Sequence, residues 1–442
     1  MLTAVRWAAH DSTHVEARST PRRRINTTAG MMLALAALLV LPQCAAAASI
    51  ETRIERAIQR SGLAPQTSVY VFDERSGMPI YSHRAGYRSI PASNQKLVTA
   101  AAVLHRFGPD HRFTTRLALR GRQQGTTWRG NVYLVGGGDP SLSTRRFGRR
   151  NLGSATNFDA LWKPLKARGI RRISGKLVVD DSFHDRTRYV SHWPRRFRFN
   201  QSPALGGLTV NRSTLGSSIA GPSVSNPALH AGSVLRRQLR SHGIRISQRT
   251  TEGRLPADAQ VVATLNSPSV RTLVQFMNLA SDNFTAEILL KNLGRSVHGV
   301  GSTDAGSRAA RLQLGLLGLD PAAFTVRDGS GLAYSNSAAP RSLGSLVFAA
   351  QHNPNIGPSF YRSLPASGIS GTLSGRMKRA PYRGRVRAKT GTLRVASGLT
   401  GTAERARTGR RYGFSVITTN WGGVDATRAR ALQDRVASIL VK

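Results

Sequence analysis

The stretch Pro91-Ala92-Ser93-Asn94-Gln95-Lys96, followed by Leu97-Val98-Thr99-Ala100-Ala101-Ala102-Val103-Leu104, decides the fold. A proline opens it and an apolar run continues it, which predicts the first turn of a buried helix. Residues three apart share a helix face, so Ser93 and Lys96 stand one turn apart on the same side. A serine beside a lysine in apolar surroundings can be a nucleophile beside its own base. Alone the pattern is weak: a serine at a helix start commonly caps it, and the lysine commonly faces water. The rest of the chain has to supply what such a nucleophile needs.

Composition narrows the field. A chain of 442 residues, 40% hydrophobic, is long enough for two or three packed domains. Lys and Arg number 64 against 22 Asp and Glu, a formal charge of +42. Such an excess suits a nucleic-acid binder, a protein beside an anionic wall polymer, or an Arg-rich surface with no specific partner. The basic residues are spread along the chain, with no RNA-recognition or zinc-finger pattern, so no specific nucleic acid is expected. Residues 1–48 read as an export signal: Arg22-Arg23-Arg24, the apolar run Met31 to Leu41, then Ala45-Ala46-Ala47-Ala48. The single cysteine, Cys44, falls inside it, so the mature chain has neither disulfide nor thiol chemistry. The expected location is outside the cytoplasm, periplasmic or wall-associated.

Along the chain, Ile50 to Arg60 reads as an amphipathic helix and Ser68 to Ser82 as a hairpin leading into Pro91. Strands are expected at 113–119, 130–135, 175–181 and 261–265, with helices at 158–168 and 227–242. Helices at 269–280 and 284–293 flank the polar triplet Ser281-Asp282-Asn283. A helix at 339–351, a strand at 385–392, a hairpin around Gly409 and a final helix from Ala426 to Val441 complete the chain. Gly136-Gly137-Gly138-Asp139-Pro140 follows a strand but lacks the Lys-Ser/Thr of a phosphate loop. Asp180-Asp181 has no nearby His or Glu to complete a metal site. A capping or turn role is expected there, and neither metal nor cofactor.

Three short motifs stand in order: Ser93-Asn94-Gln95-Lys96, Ser281-Asp282-Asn283 and Lys389-Thr390-Gly391. Each occurs by chance; together, on a helix start, an inter-helix loop and a strand, they mark active-site serine β-lactamases and penicillin-binding proteins. The chemistry explains the residue types. A serine attacking an acyl carbonyl must lose its proton. Lys96 can take it only when neutral, a form favoured by burial and by a second cation, Lys389. Ser281 can relay a proton to the leaving amine, and Asn283 can hold Lys96 and meet the substrate amide. Lys389 and Thr390 can hold a carboxylate. Gly391 lets a substrate backbone lie along the strand edge, and the N–H groups of Ser93 and Thr392 would receive the oxyanion.

The chain resembles the D-alanyl-D-alanine carboxypeptidase/endopeptidase family of class C low-molecular-mass penicillin-binding proteins. Besides the triplet, Gly136-Gly137-Gly138-Asp139-Pro140-Ser141-Leu142, Ser281-Asp282-Asn283-Phe284-Thr285-Ala286-Glu287, Asp328-Gly329-Ser330-Gly331-Leu332 and Ala388-Lys389-Thr390-Gly391-Thr392-Leu393 match its motifs in order. The match runs from about residue 50 to the C-terminus. The resemblance implies an α/β (α+β) fold: a β-lactamase/transpeptidase-like domain whose antiparallel sheet is flanked by helices and interrupted by an inserted α/β domain. The expected segments are 49–112, the insertion 113–262, and 263–442, with a nested third domain missing or reduced to a loop. The implied substrates are peptidoglycan stem peptides, cleaved through an acyl-enzyme on Ser93, with β-lactams as covalent inhibitors. Asp139, Ser330 and Tyr334 are expected at the substrate's side chain; Tyr334 stands where members carry an arginine. The alternatives are a β-lactamase or esterase on the same fold, and an inactive wall-binding protein. The long insertion and the lack of a Glu-x-x-Leu-Asn stretch weigh against a class A β-lactamase.

Overall fold

Thr67–Asp73 is buried along its whole length, which explains its near-continuous apolar composition. In this computed structural model, which describes residues 48–442, it lies inside a five-stranded antiparallel sheet. The order is Val386–Leu393, Ala396–Glu404, Arg411–Thr419, Thr67–Asp73, Pro79–His83. The export-signal reading and Cys44 lie outside the described residues, apart from Ala48.

Both faces of the sheet are covered. Val69, Val71, Phe414 and Val416 meet Ile54 and Ile58 of the helix Ile50–Ser61 and Leu432, Val436 and Leu440 of the helix Ala426–Val441. Ser49 caps the first of these helices and Gly62, at φ 65°, ends it. On the opposite face Tyr70 and Phe72 pack against Phe348 of the helix Pro340–His352. Beyond lies a helical core around Gln95–Phe107, where Leu97, Val98, Val103 and Leu104 join Val274, Met277, Leu289 and Leu293. The helix Thr303–Leu316, for which the sequence offers no clear apolar stripe, packs here through Ala305, Ala309 and Ala310.

A second sheet of seven strands is built from residues between Thr114 and Asn266. Its centre is a long hairpin, Thr114–Gln124 and Thr127–Val135, with Leu177–Asp180 parallel to the second strand and Gln260–Asn266 antiparallel to the first. The strands run well past the expected 113–119 and 130–135, and the expected helix at 158–168 is a 3₁₀ turn followed by one short α-turn. The helix Pro227–Ser241, capped by Asn226, covers this sheet with Ala231, Leu235 and Leu239. Asp180 accepts from Ser182 N, and Asp181 pairs with Arg188 at 2.6 Å. No helix of the described residues is long and apolar enough to cross a membrane.

Candidate active site

Ser93 sits in a tight 3₁₀ turn, Ala92–Asn94, that runs directly into Gln95–Phe107. It is the half-buried residue in an otherwise buried run from Ser89 to Leu104. The turn is held from two sides. Ala92 has φ 47°, an uncommon conformation for a non-glycine residue. Gly331, at φ 87°, packs so closely on Ala92 that a Cβ there would collide with its carbonyl oxygen. From the other side comes Gly391. A Cβ on it would lie 2.9 Å from Pro91 O and 3.0 Å from Ser93 N. The serine turn behind the strand therefore by itself requires glycine at 391, which also lines the cleft in front.

Lys96 is fully buried, and its Nζ touches three acceptors: Ser93 Oγ at 3.0 Å, Asn283 Oδ1 at 2.8 Å and Ser330 O at 2.7 Å. A neutral amine has two N–H bonds and one lone pair. Asn283 and Ser330 accept only, so they take the two N–H bonds and leave the lone pair aimed at Ser93. Burial lowers the Lys96 pKa to about 8, although Asp282, Asp328 and Glu287 pull it back up. Lys389 is likewise pushed well down, by burial first and then by its neighbour Lys96. Lys96 works as a base only unprotonated. Acylation by a penicillin should thus rise about tenfold per pH unit below about 8 and level off above. Stopped-flow acylation rates from pH 6 to 9.5 measure this, and a flat profile would exclude Lys96 as the base.

Ser281 occupies the bend between the helices Val270–Leu279 and Asn283–His298, at φ 54°. Its Oγ accepts from Lys389 Nζ at 2.9 Å, and Lys389 Nζ also donates to Thr390 O at 2.8 Å. Asp282 caps the second helix by accepting from Thr285 N. It also receives both guanidinium nitrogens of Arg212, at 2.8 and 2.7 Å. Burial pushes the Asp282 carboxyl up, but Arg212 together with the hydrogen bonds from Thr285 more than offsets this and leaves it below the usual range. Asn211, Arg212 and Ser213 all have positive φ, so three successive non-glycine residues hold this arginine in place.

Lys389, Thr390 and Gly391 lie on Val386–Leu393, the end strand of the five-stranded sheet. Its outer side is partly covered, because Ala388 N donates to Pro365 O and Ser367 N to Val386 O. Alternation along the unbroken strand turns the N–H groups of Thr390 and Thr392 to that same side, where it opens into a cleft. The cleft, about 550 Å³, is lined by Ser93, Ser281, Asn283, Thr390 and Thr392, with Gln201 and Arg376 among the others. Thr390 Oγ1 donates to Thr372 Oγ1 at 2.8 Å.

Three residues expected at the substrate stand elsewhere. Asp139 is 3% exposed and accepts from Ser141 N at 2.8 Å, Ser141 Oγ at 2.7 Å, and Thr156 Oγ1. It shapes a local turn and does not reach the cleft. Ser330 is fully buried; its carbonyl holds Lys96, and its N–H donates to Glu287 at 2.8 Å. Tyr334 is half-buried, edge-on to Phe197 and Trp421 and not among the cleft-lining residues, and its hydroxyl accepts from Arg196 at 3.0 Å. An arginine thus stands beside this position after all, contributed by a different part of the chain.

The support beneath these groups was not foreseen. Glu287, its pKa raised to about 8 by burial and then by Asp328, cradles the N–H groups of Gly329 and Ser330. Asp328 accepts from Gly331 N, Ala333 N, Asn336 and the Trp193 indole. Gln201 O accepts from Asn283 Nδ2 at 2.9 Å.

A buried lysine aimed at a serine, a second serine–lysine pair and an edge strand beside them define a serine acyl-transfer site on a transpeptidase-type fold. The chain belongs to the D-Ala-D-Ala carboxypeptidase 3 (S13) family, whose pattern matches residues 50–197 and 195–442. It is a serine-type peptidase of that class. Among relatives, the D-alanyl-D-alanine carboxypeptidase of Actinomadura sp. (strain R39) is 29% identical over 84% of this chain and 80% of its own. Penicillin-binding protein 4 of Haemophilus influenzae shares the fold, with a TM-score of 0.73 at 21% identity over 87% of this chain and 97% of that one. A second structure of that protein, complexed with a β-lactam, aligns with a TM-score of 0.67 at 23% identity over 87% and 98% of the two chains. A predatory peptidoglycan endopeptidase of Bdellovibrio bacteriovorus aligns with a TM-score of 0.54 at 16% identity over 84% and 92%. The matches favour the peptidase over the β-lactamase or esterase expected as its alternative.

Proposed function

We propose that this protein cleaves the terminal D-Ala, or a D-Ala-containing crosslink, from peptidoglycan stem peptides through an acyl-enzyme on Ser93. The observation that carries the reading is the three-way contact of Lys96 Nζ with Ser93 Oγ, Asn283 Oδ1 and Ser330 O. The Ser93 hydroxyl passes its proton to Lys96 as its oxygen attacks the carbonyl carbon, and the oxyanion develops toward the Ser93 and Thr392 N–H groups. Ser281 delivers its proton to the departing amine and takes back the one Lys96 received, and the carboxylate of that amine is held by Lys389 and Thr390. Water then releases the acyl group. A β-lactam follows the same first step and stays attached, because its leaving amine remains tethered.

The protein works outside the cytoplasm, and residues 1–48 direct its export. Residues 113–262 form an inserted domain that walls one side of the cleft, with the nested third domain reduced to a loop. The support is their separate core around Leu117, Val132, Leu177 and Leu235, and their contacts with Asp282, Asn283 and Asp328.

Defined monomeric and crosslinked muropeptides, incubated with the protein and followed by mass spectrometry, test the reading. Loss of one D-Ala from monomers, or splitting of crosslinked dimers, is expected. Fluorescent penicillin should give a label that persists through denaturing electrophoresis. Unchanged muropeptides together with no label would overturn the proposal; rapid penicillin hydrolysis would move it to the β-lactamase.

A further inference from the structure

The helices Ile50–Ser61 and Ala426–Val441 lie side by side behind the sheet and leave a groove of about 600 Å³ between them. Five arginines line it: Arg53, Arg56, Arg60, Arg428 and Arg435. No acidic or aromatic residue does. Arg53, Arg56 and Arg60 follow at steps of three and four, so they form one stripe along the first helix. Arg428 and Arg435, seven apart, form a stripe about 10.5 Å long on the second. Arg428 reaches across and donates to Ser61 O at 2.6 Å. Among the described residues the other four make no ion pair.

Like charges at these spacings repel and weaken a helix. Neighbouring acids make no ion pair that would relieve the repulsion: Glu55 is engaged by Gln59 and Tyr81, and Glu51 by Ser49. A ligand carrying repeated negative charge would. The stripes run along the helix axes and do not converge on a point, which suits an extended chain better than a single small anion. Guanidinium forks match phosphate oxygens in pairs. Without an aromatic lining the groove has nothing on which bases could stack. Its one leucine, Leu432, is buried in the core, so it also lacks the exposed Trp, Phe and Leu face of a helix that lies in a lipid interface.

We propose that this groove binds a linear phosphodiester polymer of the cell envelope. The inference rests on the exported, wall-directed reading above, and muropeptide cleavage tests that reading separately. The last helix presents Arg430 and Gln433 to the catalytic cleft and Arg428 and Arg435 to the groove. A polymer held there lies one helix away from Ser93, so the enzyme is kept at high local concentration beside its substrate.

The test is binding of the purified protein to immobilised poly(glycerol phosphate). Arg53→Gln/Arg56→Gln/Arg435→Gln is compared with Arg122→Gln/Arg149→Gln/Arg249→Gln, which removes the same charge from exposed positions elsewhere. Thermal melting confirms that both variants fold. Over about 50 to 200 mM salt the wild type should weaken steeply, the groove variant should bind about tenfold or more weaker at the low end, and its salt dependence should flatten. The control variant should fall by about twofold at most. Equal losses in both variants, or none in either, would overturn the groove. Tighter groove-dependent binding to phosphatidylglycerol vesicles or to duplex DNA than to the polymer would overturn its assignment to the polymer.

Discussion

Ser93→Ala takes no covalent label from fluorescent penicillin and loses about 10⁶-fold in peptide turnover, the size of loss seen when a nucleophilic serine is removed. The fold should survive, since Ser93 is half-buried and its hydroxyl contacts only Lys96. Lys96 gives the sharper test. With Ser93 intact, Lys96→Ala should lower acylation by about 10²–10⁴-fold, the share of a positioned general base. Lys96→Arg should lose as much, because a guanidinium keeps its charge and has no lone pair to offer. If the arginine variant labelled like wild type, Lys96 would be supplying charge and not accepting a proton. Intact-mass measurement after a timed β-lactam pulse reads all three variants on one scale.

The second large effect falls 70 residues in sequence from the loop it controls. Arg212→Ala leaves the Asp282 carboxylate buried with its main counter-charge gone, and removing one partner of such a pair costs about 3–5 kcal/mol. The motif itself should also shift, because Ser281 and Asn283 flank Asp282. A misplacement of about 1 Å there would lower acylation by about 10²-fold. Arg212→Lys keeps the charge but not the fork, and should fall between wild type and alanine. The pH dependence has a definite sign. Asp282 is held below its ordinary range, so its stabilisation is present at neutral pH and is lost as the solution is acidified through the carboxylate range. Urea unfolding at pH 7 and below pH 3, with acylation measured at pH 7, tests both parts. Arg212→Ala that unfolds and acylates like wild type would remove Arg212 from the account.

The Ser93–Lys96 contact was legible because the motif is short and its geometry is local, whereas the contact of Lys389 with Ser281 was not among the expectations. Ser93 and Lys96 are one helical turn apart whatever surrounds them. The order of the motifs did the rest. What packs beneath them was not legible. Nothing near Arg212 in sequence points to Asp282, and nothing in Glu287 tells that it faces the N–H groups of Gly329 and Ser330 rather than solvent. Asp139 was misplaced for the converse reason. An aspartate two residues before a serine can satisfy itself locally, and the Asp139–Ser141 turn does so while Thr156 closes the other side. The helix Thr303–Leu316 escaped notice because its buried face is made of small residues. A Cβ on Gly294 would lie 2.5 Å from Gly306 N, so that contact depends on the absence of side chains and leaves no apolar stripe to read.

The strand Thr67–Asp73, placed next to the edge strand of its sheet, has a consequence for timing. Its partner on one side is Arg411–Thr419, and Thr67 meets Thr418 across 351 residues of chain. Between Arg411–Thr419 and the sheet edge lie only the strands that follow residue 385. This sheet therefore cannot close until nearly all of the chain has been made, and such distant pairings close slowly. Ser93 emerges early but acquires Lys389 and Gly391 last. A product truncated before the final strands would carry Ser93 without the strand that bears Lys389 and Gly391.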